Sequence, residues 1–270
     1  MKTFEEQYFE TLTDIRNYGH MKKGRNGFTK SIHGKQIRFN AAHYFPILTS
    51  RQMFWKGVAG EYAAFIRGAN HVDDFKKWGC NFWGSWADDN GFIKSDYGNA
   101  WIDYNESNQM HNALELLKND PHSRRIIIDA WRPDRLSSLS LPCCHYNYQF
   151  VTYKISDKYY VDLIWTQRSA DWMVGVPSDA ISATIMLNCF ASLADMGVGS
   201  VVMNFGDAHI YQEHDYQAFQ LITNVWNDKP RLGHPTYDFK PQKDLYSFEP
   251  SDITLKTYRH YDKVNFKLMV

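Results

Sequence analysis

Three short stretches of this chain carry side chains able to work on a nucleotide. Leu141-Pro142-Cys143-Cys144-His145 offers a thiol, Thr166-Gln167-Arg168-Ser169-Ala170-Asp171 a guanidinium beside a hydroxyl, and Gly206-Asp207-Ala208-His209-Ile210-Tyr211 a His and a Tyr two residues apart. A thiolate attacks an electron-poor ring once nearby cations lower its pKa. An arginine fork suits a phosphate through paired, charge-assisted bonds. His209 and Tyr211, if the backbone there is extended, project to one face and can bond a sugar hydroxyl together. Combined, these parts point to an enzyme that modifies a nucleotide.

Each part also has an ordinary reading. A lone cysteine such as Cys144 is more often a buried structural residue. Arg124, Arg125 and Arg168 can pair with surface acids. Glu61 lies among Val58, Ala59, Tyr62, Ala63, Phe65 and Ile66, where a partly desolvated carboxyl would have a raised pKa useful for moving protons, yet the same spacing fits the exposed face of an amphipathic helix. Asp179 follows Pro177-Ser178 and precedes an apolar helix, so local rules favour a helix cap, with Ser178 as the other candidate for that role.

Composition narrows the class. The chain has 270 residues, 44% of them apolar and 16% aromatic, enough for a large core, and a single domain over 1–270 is expected. Thirty basic and thirty acidic residues cancel, so no global field draws the chain to nucleic acid or to an anionic membrane, and any anion site must be local. Cys80, Cys143, Cys144 and Cys189 lack the spacing of a zinc site or a disulfide framework, which fits a reducing, cytoplasmic setting, the host's if the chain is viral. The first residues carry acids where a secretory signal needs bases, and no apolar run of about 20 residues is seen, so no membrane span is expected.

The elements that must hold these side chains alternate without a strict β-α-β rhythm, which predicts a mixed α/β (α+β) fold. Residues 3–19 have helical spacing at Phe4, Tyr8, Leu12 and Ile15. Residues 30–39 read as two short strands about Gly34. Residues 49–67 read as a helix capped by Thr49 or Ser50 and ending before Gly68. From Trp78 to Trp101 no period is clear, and such a long irregular stretch often carries function. A helix over 107–118, a strand over 124–131, and a hairpin of 146–153 with 159–165 follow. The run 180–196, apolar on most faces and followed by Gly197, predicts a buried central helix. A strand over 200–205 and a helix from about His209 to Trp226 complete the reading.

The combination resembles the thymidylate synthase family. The likeness rests on Glu61, Phe65 and Gly68; Trp83-Gly84-Ser85-Trp86-Ala87-Asp88-Asp89-Asn90-Gly91; Tyr97-Gly98; Asn119-Asp120-Pro121-His122-Ser123-Arg124-Arg125; Pro142-Cys143-Cys144-His145; Gln167-Arg168-Ser169-Ala170-Asp171; Gly175-Val176-Pro177; and Gly206-Asp207-Ala208-His209-Ile210-Tyr211, in family order along nearly the whole chain. The resemblance implies a homodimer in which Cys144 adds to C6 of a pyrimidine nucleotide, making C5 nucleophilic toward the one-carbon unit of 5,10-methylenetetrahydrofolate, with no metal. It implies Arg25, Arg168 and Ser169 at the phosphate, with Arg124 and Arg125 supplied by the other subunit, Arg25 matching only after a one-residue shift. It also implies His209 and Tyr211 at the sugar, and Glu61 with Tyr97 organising proton-moving waters. Trp83, Trp86, Asp171, Gly175 and, in the apolar ending Phe266-Lys267-Leu268-Met269-Val270, Val270 would meet the folate.

One departure bears on the substrate. Where the family has Asn, two residues after the Pro of Gly-x-Pro, this chain has Asp179, preceded by Ser178 in place of an aromatic. Uracil presents a donor at N3 and an acceptor at O4, whereas cytosine presents an acceptor at N3 and a donor amine at C4. A carboxylic acid, or a carboxylate facing an N3-protonated ring, matches cytosine and mismatches uracil. Asp179 thus resembles the phage-type deoxycytidylate hydroxymethylases of this family, which implies dCMP as substrate and water as the group that completes the reaction. Trp83, Trp86, His145 and the apolar ending look more like the reductive methylating members. Methylation of dCMP, thymidylate synthesis from dUMP, and a silent nucleotide or folate binder are the alternatives.

Overall fold

A computed structural model describes residues 1–269. Helix α1 (Phe4–Tyr18) starts at a Thr3/Glu6 capping box and buries Phe4, Tyr8, Leu12 and Ile15. Strand β1 (His20–Gly24) turns into β2 (Gly27–Asn40). The two short strands expected about Gly34 are thus one: Gly34 takes a left-handed φ of +68° opposite Gly206, and the register of β2 continues on either side.

Helix α2 (Trp55–Phe65) begins later than the spacing predicts. Thr49 and Ser50 do not cap it. The N–H groups of both and the Thr49 hydroxyl donate to the carboxylate of Glu5, at 2.7–2.8 Å, inside the protein. The aperiodic stretch holds more regular structure than expected: after α3 (Val72–Lys77) come a 3-10 turn at Trp83–Trp86 and helix α4 (Tyr97–Ile102). Gly98 lets α4 sit directly on α2, since a Cβ there would overlap the Phe65 carbonyl.

Helix α5 (Gln109–Asn119) leads to a strand β3 of only three residues (Ile127–Asp129). The expected hairpin forms from β4 (His145–Ile155) and β5 (Lys158–Gln167), and β6 (Ala170–Asp171) follows. Helix α6 (Gly175–Leu193) starts five residues before the predicted point and stops at Leu193, with Asp195 rather than Gly197 in the left-handed region. Gly197 instead opens β7 (Gly197–Tyr211), which runs six residues past the expected strand end and replaces the start of the expected helix. A 3-10 turn, helix α7 (Asp215–Gln220) and a π-helical stretch at Leu221–Asn227 occupy the rest of that span. Strands β8 (Thr236–Phe239) and β9 (Ile253–Lys256) pair separately.

The main sheet has the order β1-β2-β7-β5-β4-β3, with β6 also paired to β7. β7 runs parallel to β5 and β6 and antiparallel to β2, so the sheet is mixed, as predicted for this fold class. Helix α6 packs on β5, β7 and α2. It is long and apolar enough by composition to pass for a membrane span, but most of it is buried in the core, where each fully covered large apolar side chain contributes about 1.5–3 kcal/mol.

Candidate active site

A cleft of about 710 Å³ opens where β1, β2, β6 and β7 meet the starts of β4 and α6. Pairing explains why: Lys22 lies opposite Thr29, Thr29 opposite Tyr211, Ser31 opposite His209, and Asp171 opposite His209. Because strand side chains alternate, Asp207, His209 and Tyr211 share one face of β7, and that face lines the cleft. The strand extending to Tyr211 is what fulfils the condition that sequence alone left open.

Cys144 stands just before β4 and lines the cleft. Its N–H donates to the Tyr97 hydroxyl at 2.8 Å, which ties α4 to the cysteine loop. Burial raises the thiol pKa, while the Arg168 guanidinium and the Tyr97 hydroxyl pull it back. Arg168 clamps the same loop, donating from Nε to the Cys143 carbonyl at 2.8 Å and from a terminal nitrogen to the Pro142 carbonyl at 3.0 Å. Cys143, by contrast, is buried and turned into the core.

Glu61 faces the cleft from α2 and accepts the Trp83 indole N–H at 2.7 Å. Burial pushes its carboxyl up to about 8, against the pull of that N–H and with the help of the nearby Asp179 charge. Asp179 is not a cap. It lies in the second turn of α6, whose first turn has no side-chain cap, and it reaches the cleft. Burial raises its carboxyl to about 7, opposed by a bond from the Gln167 amide N–H to Oδ2. Ser178 does not cap either, because its hydroxyl donates back to the Val174 carbonyl at 3.1 Å. Asp171 Oδ1 accepts the N–H groups of Met173 and Val174, at 2.9 and 3.3 Å, and so holds the entry to α6.

Of the other residues singled out by sequence, Arg25, Ser169, Trp83, Trp86 and Gly175 also line the cleft. Arg124 and Arg125 are exposed and lie outside it. Leu268 and Met269 reach it, the Met269 carbonyl accepting from Asn26 Nδ2 at 3.3 Å; Val270 lies outside the described residues.

The sequence model of the thymidylate synthase family matches residues 6–270. The chain belongs to that family. Its members are one-carbon transferases that use methylenetetrahydrofolate to modify C5 of a pyrimidine nucleotide. Several side chains of this thymidylate synthase family cleft were not singled out by sequence. Lys22 pairs with Asp207, and Asp207 Oδ1 lies 3.5 Å from His209 Nδ1. Burial would raise the Asp207 carboxyl, but the nearby His209 imidazole and the bond from Lys22 hold it down at about 2. Asp207 was detectable, since it sits two residues before His209 on one strand face. Lys22 carried no such signal, because only the β1–β2 register brings it to the cleft. Gln167 stands next to a singled-out residue, and His145 was named only for its likeness to the methylating members; the pairing of β4 and β5 shifts by a bulge between His145 and Asn147.

Proposed function

We propose that this family member is a dCMP hydroxymethylase, converting dCMP, 5,10-methylenetetrahydrofolate and water to 5-hydroxymethyl-dCMP and tetrahydrofolate. One observation carries the choice of base: the residue at the base-reading position is an acid facing the cleft, not a helix cap. At neutral pH, Asp179 is poised between its charged and neutral forms, since its carboxyl is raised to about 7. Protonated on the oxygen that faces N3, it donates to N3 of cytosine and accepts from the C4 amine; charged, it has no proton to give O4 of uracil and leaves that contact mispaired, at about 1–3 kcal/mol.

The remaining roles are those the family resemblance implies, and their place in the cleft supports them for the residues that line it. Cys144 adds to C6 of the ring, its thiolate favoured by Arg168. Arg25, Arg168 and Ser169 hold the phosphate, and Arg124 and Arg125, exposed in their own chain, reach it from a second copy in a homodimer. His209 and Tyr211 bond the sugar hydroxyl, with Asp207 orienting the imidazole. Glu61 and Tyr97 order the water that moves protons. The cleft suits a folate beside the nucleotide: its volume is in the range of small-molecule sites, and it offers Trp83, Trp86 and Val174 as apolar walls and Asp171 as a polar contact, with Gly175 adding no side chain to the wall. The folate supplies the one-carbon unit.

Methylation of dCMP is the second reading. Leu268 and Met269 project into the cleft, and an apolar closure that keeps water out favours reductive completion. Incubation with dCMP or dUMP and methylenetetrahydrofolate tests these readings through the nucleotide mass and the absorbance of dihydrofolate. A hydroxymethyl mass on dCMP without dihydrofolate is the expected result. Dihydrofolate formed with dCMP means methylation, dUMP turnover alone means thymidylate synthesis, and no product with either means a silent binder.

A further inference from the structure

Tyr148 is fully buried beneath the cleft and touches His145 twice. Its hydroxyl lies 2.6 Å from His145 Nδ1 and 3.0 Å from the His145 carbonyl oxygen. The hydroxyl has a single proton, and a carbonyl can only accept. If that proton went to Nδ1, two acceptor oxygens would face each other at 3.0 Å without a hydrogen. Both contacts are satisfied only when the hydroxyl donates to the carbonyl and Nδ1 carries the proton that donates to the hydroxyl.

Burial pushes the His145 imidazole down to about 3, so the ring is neutral at working pH. Nε2 is then a bare lone pair. It points toward the cleft wall 3.9 Å from Asp179 Oδ1, while the other carboxyl oxygen is occupied by Gln167. The rings of Tyr97 and Trp165, with centroids 4.4 and 4.5 Å away, keep the imidazole from turning.

We infer that Tyr148 is a positioning residue that fixes the His145 tautomer, so that Nε2 and Asp179 Oδ1 form a two-acceptor clamp for the exocyclic amine of cytosine. An amine nitrogen about 3 Å from each acceptor closes a triangle on the 3.9 Å edge and gives one hydrogen to each. A uracil carbonyl in the same place meets the Nε2 lone pair whatever the charge on Asp179. This inference rests on the dCMP reading above and adds a second discriminator to it.

Two measurements on the full chain test it. In protein labelled with ¹⁵N-histidine, the signals lost in His145→Gln identify the ring, and Nδ1 is expected to be protonated with Nε2 of pyridine type; the opposite tautomer overturns the inference. In Tyr148→Phe, the ratio of kcat/KM for dCMP over dUMP is expected to fall about tenfold, near the value of one hydrogen bond. That ratio does not change if part of the variant is merely unfolded, since the same sample is used with both substrates. A wild-type chain that prefers dUMP overturns the dCMP reading and this one together. A wild type that prefers dCMP, with Tyr148→Phe keeping the whole preference, overturns this one alone.

Discussion

The Trp83 indole donates to Glu61 at 2.7 Å, so a residue of the cleft wall also governs the acid on its floor. Burial raises the Glu61 carboxyl from 4.5 to about 8, and between those values the folded chain keeps a proton that the unfolded chain has released. The Glu61 contribution to stability therefore falls as pH rises from about 4.5 to 8 and levels beyond. Glu61→Gln has no such proton. Its advantage in urea midpoint over wild type should grow across that window, and a flat difference from pH 5 to pH 8 would show that Glu61 ionises freely.

Arg168 both clamps the cysteine loop and draws the Cys144 thiol toward ionisation. In Arg168→Met, alkylation of Cys144 by iodoacetamide should shift to higher pH, with a slower rate at pH 8. An unmoved rate–pH profile would reduce Arg168 to a clamp.

Cys144→Ala should bind dCMP with little change in Kd, measured by calorimetry, while turnover falls below detection. Nucleophilic catalysis has no substitute for the missing sulfur, whereas phosphate and sugar contacts lie elsewhere in the cleft. Residual turnover near the wild-type rate would remove the sulfur from the chemistry.

Asp179→Asn replaces a group able to donate at N3 and accept at C4 with an amide of either orientation. The preference should move toward dUMP by at least tenfold in kcat/KM, the effect of correcting one mispaired buried group. A retained dCMP preference would mean that the acid does not face the base.

Much of this architecture was legible because period and burial coincide. Phe4, Tyr8, Leu12 and Ile15 marked α1, the uniformly apolar stretch marked α6, and alternation marked β4 and β5. The failures share a cause: local rules cannot see a distant partner. His209 to Tyr211 were read as the start of a helix, yet pairing with β2 and β6 holds them extended. Asp179 looked like a cap by its neighbours alone, although the chain turns into α6 earlier, at Gly175, under the hold of Asp171. Cleft residues that carry a motif's own chemistry, such as Cys144 and Arg168, were found. Lys22, carried in by hairpin register, was not.

Thr49 and Ser50 illustrate the same point with a measurable consequence. Their donors meet the Glu5 carboxylate from α1, and Glu5 is only 2% exposed. The carboxylate thus joins α1 to the segment leading into α2, the helix that carries Glu61. Glu5→Ala removes the acceptor and leaves two backbone N–H groups buried without partners, costing about 1–3 kcal/mol for each that water does not reach, while the Thr49 hydroxyl keeps the Leu232 carbonyl at 3.3 Å. Glu5→Gln keeps one acceptor oxygen and should recover part of the loss. Thermal unfolding should rank wild type above Glu5→Gln above Glu5→Ala, with the alanine variant several degrees below wild type. Because the break lies one helix away from the cleft, hydrogen exchange in Glu5→Ala should rise first at residues 49–54 and then in α2. Equal protection of those amides in all three chains would mean that the contact contributes nothing to holding the Glu61 helix in place.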